Sequence, residues 1–345
     1  MSVLIPPLST AAPDDRRATE GTLLEVRDLQ VRFRRHGRVA RVVNGLDFSV
    51  SPGRTLAIIG ESGSGKTVSC RAILGLLPSF ASVTGTVLFA GEQLLGLPEH
   101  EIRRYRGADI AMVFQDPARS LNPTMQVGKQ IMEAIREHLP LSSALARQRA
   151  IELLELVRIP SPSRRFHEYP HQLSGGMRQR VMIAIALACH PKLLIADEAT
   201  TALDVTTQAQ IMELLLDLQR ALDMALIFIS HDLGLAASYS DDVIVMYAGR
   251  AVERAPTRRL FEHVRMPYTK ALLEAIPRLD RPAHLQLPVV PGRPPDPSSL
   301  GSGCSFAPRC PRVADICWDS APPLTEHDSE HWWACFRPHG SGETR

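Results

Sequence analysis

The chain has 345 residues, 44% of them hydrophobic and 22% charged. That is an ordinary globular composition, long enough for one large domain with an appendage, or for two domains. Its 39 basic and 37 acidic residues leave a net charge of +2, and aromatics make up 5%, so neither a basic nucleic-acid surface nor a base-stacking platform is expected.

In chain order, residues 1–20 are rich in Pro, Ser, Asp and Arg without a period, and predict a disordered tail. Leu24, Val26, Leu29, Val31 and Phe33 fall at near-alternate positions, and 42–50 continues in the same way, which predicts two strands. An apolar strand over 55–59 then ends at Gly60, and a glycine-rich loop leads into a helix over 67–77. Over 127–157 apolar residues recur at helical spacing, predicting an all-helical insertion of about 118–173. Apolar strands at 193–196, 225–229 and 243–247 and a helix at 208–222 predict a central parallel sheet. The longest apolar run, about 181–189, is far short of the ~20 residues of a membrane-spanning helix. The N-terminus carries no basic and apolar export signal, so the chain reads as cytoplasmic. Residues 277–345 hold 12 of the 27 prolines and four of the six cysteines, which predicts a separate, loop-rich appendage.

Residues 60–67 read G-E-S-G-S-G-K-T, a full phosphate-loop pattern. Gly60, Glu61, Ser62, Gly63, Ser64 and Gly65 let backbone N–H groups turn toward phosphate oxygens. Lys66 reaches the β- and γ-phosphates, and the Thr67 hydroxyl ligates Mg²⁺. The strand at 193–197 ends in Asp197, suited to Mg²⁺, followed by Glu198, suited to polarising an attacking water. Ser174, Gly175 and Gly176 in L-S-G-G-M open a helix whose N–H groups can meet an anion.

A phosphate loop, an L-S-G-G-M signature and an acidic strand end in this order resemble an ATP-binding cassette (ABC) ATPase. Gln115 in V-F-Q-D-P resembles the family's glutamine that joins Mg²⁺ to the membrane partner. A202-L203-D204 resembles its D-loop, His231 in I-S-H-D its γ-phosphate histidine, and Phe33 its adenine-stacking aromatic. The family pairs two ATPase domains head to tail, so that each signature completes the other subunit's site. Longer runs, I-A-D-E-A-T-T-A-L-D-V-T and the tail P-Y-T-K-A-L-L-E-A-I-P, V-P-G-R-P-P, C-S-F-A-P-R-C-P and W-A-C-F, resemble the ATPases of dipeptide and oligopeptide importers over roughly residues 22–338. Ala199 departs from the proline usual after the glutamate.

The resemblance implies an α/β P-loop NTPase fold with a central, mainly parallel sheet, an antiparallel β subdomain, a helical subdomain and a Cys/Pro-rich C-terminal extension. It divides the chain into a tail (1–20), an ATP-binding domain (21–265) and an extension (266–345). It implies ATP and Mg²⁺ as ligands, a second ATPase subunit as partner (a paralogue rather than self), two permease subunits and, indirectly, an extracytoplasmic solute-binding protein. No nucleic acid is expected, and the location implied is peripheral, on the cytoplasmic face of the membrane. Importers of nickel chelates, glutathione or another peptide-like solute share the same machinery and stay open. A DNA-repair ATPase would carry a long coiled coil between phosphate loop and signature, and a translation ATPase would carry two cassettes.

Cys304, Cys310, Cys317 and Cys335 are spaced C-x5-C-x6-C-x17-C. A reducing cytoplasm disfavours disulfides. Zinc prefers C-x2–4-C pairs, although His327 or His331 could complete a site. Separated thiolates suit a cubane iron–sulfur cluster, and some peptide-importer ATPases carry one here. Cys70 and Cys189 lie in apolar helical stretches and read as buried and inert.

Overall fold

The computed structural model describes residues 21–35, 37–200, 204–276 and 290–340. The predicted tail over 1–20, and Ala202 and Leu203 of the D-loop, lie outside them.

Two sheets build the core. The smaller is antiparallel, with β1 (Leu24–Arg35), β2 (Arg38–Val50), β4 (Ala81–Phe89) and β5 (Glu92–Gln93) in the order β2-β1-β4-β5. The larger contains β3 (Thr55–Ile59), β6 (Ile110–Val113), β7 (Leu193–Asp197), β8 (Ala225–Ser230), β9 (Asp242–Tyr247), β10 (Arg250–Pro256), β11 (Thr325–Asp328) and β12 (His331–Trp333). Its order is β11-β12-β10-β9-β3-β8-β7-β6, parallel from β9 to β6 and antiparallel beyond β9.

The parallel strands are continuous apolar runs because both faces are covered. Side chains alternate between the faces. Ala57 and Ile59 of β3 join one buried layer with Leu194, Ala196 and the helices, whereas Leu56 and Ile58 join the other, with Leu29, Leu46 and Phe89 of the small sheet.

Between β6 and β7 the described chain forms helices and loops, chiefly Val127–His138 and Ser143–Leu156, packed with Gly175–Ala186 through Ile131, Ile135, Ala150, Leu153 and Ile183. The helix after the phosphate loop is shorter than its apolar pattern predicts, Lys66–Ile73 rather than 67–77. Gly75 at φ +62° turns the chain there, a left-handed conformation that ends helices. Among the described residues no helix is long and apolar enough to cross a membrane.

The proline-rich C-terminal segment is not held apart from the core, contrary to its composition. β12 pairs with β10 (Glu253 opposite Trp333, Arg254 opposite Trp332) and so extends the main sheet. Phe306 is 1% exposed and sits edge-on to Tyr247 and Tyr268, each at 5.3 Å between ring centroids. The segment borrows the core of the preceding residues in place of building one.

Candidate functional site

The C-terminal ends of β3 and β7 bring the first group of predicted residues together, where ligands of open α/β sheets bind. Gly60 and Gly65 allow the turn between β3 and its helix. A Cβ on Gly60 would lie 2.2 Å from the Met246 carbonyl oxygen, and one on Gly65 2.6 Å from that of Val42. Ser62 and Gly63 are exposed at the tip, whereas Ser64 and Lys66 are buried. The Lys66 ammonium donates to the carbonyls of Gly60 (2.7 Å) and Glu61 (3.0 Å). Burial pulls its pKa below the ordinary lysine value, while Glu198, Asp197 and Glu61 act to raise it.

Asp197 is fully buried. Thr67 Oγ1 donates to its Oδ1 at 2.6 Å, Arg71 Nη2 lies 3.6 Å from its Oδ2, and Oδ2 has no hydrogen-bond partner. Burial pushes its carboxyl upward against the opposing pull of Thr67 and Arg71. Glu198 follows at φ +46°, and Gln115 Nε2 donates to its Oε2 at 2.7 Å. A proline at 199 would push Glu198 toward extended backbone; Ala199 leaves it free to turn.

A second group lies at helix starts. Ser174 and Gly175 are exposed, and Ser174 Oγ accepts from Met177 N at 3.3 Å, capping Gly175–Ala186. Asp204 caps Val205–Ala221 by accepting from Thr207 N (3.0 Å) and Thr207 Oγ1 (2.7 Å). The two starts are close: a Cβ on Gly176 would lie 2.9 Å from Thr207 Cγ2. His231 is exposed just past β8. Phe33 is half-buried on β1, with its ring 5.8 Å from that of Phe80.

The four C-terminal cysteines are free and mutually close enough to feel one another's charge. Burial, with a smaller contribution from neighbouring cysteines, raises the Cys304 and Cys310 thiols and takes Cys335 to about 11. Cys304 N donates to the Cys317 carbonyl at 2.8 Å. Among the described residues no group of three or more His, Cys, Asp or Glu is arranged to hold one metal ion. The two candidate histidines are engaged elsewhere. His331 Nε2 meets buried Glu253 at 2.9 Å, and the His327 ring stacks on Trp333 at 4.3 Å.

A family model described as ABC transporter matches residues 43–201. A second, described as the C-terminal region of oligopeptide/dipeptide transporters, matches 252–317. The oligopeptide transport ATP-binding protein OppD of Escherichia coli (strain K12) is 49% identical over 316 residues, spanning 92% of this chain and 93% of that protein. The protein of the same name from Bacillus subtilis (strain 168) is 48% identical over 312 residues, spanning 90% and 87%. This chain belongs to the ABC transporter ATPases of the oligopeptide/dipeptide family.

Its ABC fold is also that of the solved dimeric cassette MJ0796 in a post-hydrolysis state with ADP and phosphate. The TM-score is 0.62 at 26% identity, covering 68% of this chain and 99% of that one. Two residues of this ABC ATPase escape the sequence reading. Arg71, against Asp197, belongs to no motif or period that singles it out in the sequence. Arg309 forks onto Glu61 of the phosphate loop, Nη1 to Oε2 at 2.7 Å and Nη2 to Oε1 at 2.9 Å. No periodicity links positions 248 residues apart.

Proposed function

We propose that the chain hydrolyses ATP to drive uptake of di- and oligopeptides across the cytoplasmic membrane. It works as a peripheral subunit on the cytoplasmic face, bound to two permease subunits and paired head to tail with a second ATPase subunit, a paralogue. An extracytoplasmic solute-binding protein delivers the cargo. The observation that carries the reading is the joining of Thr67 to Asp197 and of Gln115 to Glu198 beside buried Lys66. The names of the relatives support peptide as the cargo.

The donor set fits Mg²⁺, a hard cation that takes oxygen ligands. Asp197 offers a buried oxygen with no hydrogen-bond partner, next to the Thr67 hydroxyl. Thr67, Asp197 and Gln115 would hold the ion, which when bound offsets charge on the transferred phosphoryl group. Lys66 exchanges the Gly60 and Glu61 carbonyls for phosphate oxygens, while amides from Gly60 to Thr67 cradle the phosphates and Phe33 stacks on the adenine. Glu198 accepts the proton of the attacking water, the Gln115 amide fixes the orientation of that carboxylate, and His231 contacts the γ-phosphate. Ser174, Gly175 and Gly176 complete the site of the paired subunit, and Asp204 borders that interface.

Residues 266–345 form the family's C-terminal extension in this reading, with an iron–sulfur cluster held by Cys304, Cys310, Cys317 and Cys335. The support is a set of four free thiols, of which Cys304, Cys310 and Cys317 lie near enough to Cys335 for their charges to raise its pKa, with a spacing in the sequence that lacks the short Cys pairs zinc prefers. Such a centre stabilises the fold of its loops. Anaerobic purification followed by iron, sulfide and zinc analysis is expected to find iron and labile sulfide. Stoichiometric zinc without sulfide would replace the cluster, and metal-free protein would remove both.

For transport, the chain, its paralogue and the permeases are reconstituted into proteoliposomes. ATP-dependent uptake of a labelled tripeptide is expected. Uptake of glutathione or a nickel chelate in its place would reassign the cargo, and hydrolysis without uptake of any of them would sink the importer reading. Engineered cysteines within 118–173 are expected to cross-link to the permeases, since this helical segment lies between Gln115 and Ser174. Cross-links confined to 290–340 would overturn that docking surface.

A further inference from the structure

The phosphate loop carries a carboxylate that the chemistry above does not use. Glu61 sits between Gly60 and Ser62, and its carbonyl is one of the two that hold the Lys66 ammonium. Left alone, its negative charge would oppose the binding of a triphosphate. Arg309 answers it with both ends of its guanidinium.

The arginine is held as tightly as a side chain can be. Its Nε donates to the Pro291 carbonyl (2.6 Å), Nη1 also to Tyr247 Oη (3.1 Å), and Nη2 also to the Val290 carbonyl (3.3 Å). With the two bonds to Glu61, all five of its N–H groups are used. Its side chain is 4% exposed, and the guanidinium lies over the Tyr247 and Phe306 rings. A second tie runs to the same loop residue, because Glu61 N donates to Tyr268 Oη at 2.9 Å and Tyr268 packs on both Tyr247 and Phe306. Arg309 lies between Cys304 and Cys310, with Phe306 in the same short span. The cysteine segment therefore reaches Glu61 directly through the Arg309 side chain, and indirectly through Phe306, which packs on the tyrosine that accepts from the Glu61 N–H.

We propose that Arg309 is a positioning residue of the ATP site: its fork on Glu61 fixes the phosphate loop and cancels the loop's negative charge, so that packing of the cysteine segment sets nucleotide affinity. The proposal rests on the ATP site described under Proposed function. A buried arginine that merely holds the fold together would affect stability. One that positions and neutralises the loop must act on ATP binding, and that effect must depend on Glu61. Coupling is reciprocal, so nucleotide must in turn tighten the cysteine segment.

The test uses the full-length chain with its partner ATPase. Arg309→Ala is expected to raise the KM for Mg-ATP about tenfold with kcat changed less than about threefold, the size of losing hydrogen bonds to a charged group. Adding Glu61→Gln to Arg309→Ala removes the uncancelled charge and is expected to recover most of that rise. Arg309→Lys keeps the charge without the fork and is expected to fall between. Amide hydrogen exchange over 304–310 is expected to slow when Mg-ATP saturates the wild type, and to be unaffected by nucleotide in Arg309→Ala. Should Arg309→Ala fail to fold, Arg309→Lys and the exchange measurement on the wild type decide. An unchanged KM in the folded variants, a loss confined to kcat, a double variant no better than the single, or exchange over 304–310 insensitive to nucleotide would each overturn the proposal. Lys66→Ala separates the two readings. If it loses nucleotide while Arg309→Ala behaves as wild type, only this inference fails, and if it binds as wild type the ATP site itself is wrong.

Discussion

Glu198 holds φ at +46°, a conformation seldom adopted by residues other than glycine, asparagine and aspartate. Its backbone N–H donates to the Ile229 carbonyl at 3.2 Å, and the Gln115 amide meets its carboxylate. The residue is thus fixed at both backbone and side chain, as a group must be to act on a positioned water. Glu198→Gln preserves shape and the ability to accept from Gln115 while removing the carboxylate proposed as the base. Turnover is expected to fall about 10²–10⁴-fold with nucleotide still bound. ATPase assays together with nucleotide-binding isotherms check this, and near-normal turnover would refute the role. Lys66→Ala has the opposite signature. Lys66 is 4% exposed and its ammonium already rests on loop carbonyls, so removing it strips the loop of its buried positive charge. Nucleotide affinity is expected to drop about tenfold or more, measured by isothermal titration with Mg-ATP.

At the scale of elements, the parallel strands were legible because a sheet covered on both faces leaves continuous apolar runs, and the phosphate loop because its glycines and lysine occur at fixed spacing. The start of Val205–Ala221 was not. Val205, Thr206 and Thr207 are β-branched and argue against a helix, yet Asp204 caps it and carries it three residues further than its apolar period predicts. Gly128 was hidden in the same way. It is the second residue of the helix Val127–His138, where alanine is ordinarily favoured over glycine. Here a Cβ would lie 2.1 Å from Phe166 Cδ2. The ring cannot easily withdraw, because Gly128 N donates to the Phe166 carbonyl (3.0 Å) and Val127 N to that of Glu168 (2.9 Å). Gly128→Ala is therefore expected to cost about 1–3 kcal/mol, the usual penalty of overpacking. Adding Phe166→Leu should recover part of it. Denaturant unfolding of the single and double variants measures both, and a stabilised Gly128→Ala would show that the ring yields.

For the whole molecule, proline content and cysteine spacing made the C-terminal segment look separate, because composition reports what a segment lacks and not what it leans on. Its dependence is carried by pairings between positions tens to hundreds of residues apart. β12 pairs with β10, and Glu253, fully buried on β10, has Oε1 accepting from Arg265 N (2.7 Å) and His331 Nε2 (2.9 Å), with Oε2 accepting from Met266 N (3.2 Å). The sequence distributes its reporters usefully. All three tryptophans, Trp318, Trp332 and Trp333, lie in the C-terminal segment, whereas the long helices that dominate far-ultraviolet dichroism lie in the ATPase core. If the segment shares the core's cooperative unit, tryptophan fluorescence and helical dichroism must lose signal in one coincident transition. His331→Ala sharpens the test. It removes one donor from a carboxylate that has no access to water, an expected cost of about 1.5–3 kcal/mol. Both signals are expected to shift together to lower temperature by a few degrees. A fluorescence transition that moves alone, or that precedes the dichroism in the wild type, would mean that the segment unfolds as an appendage after all.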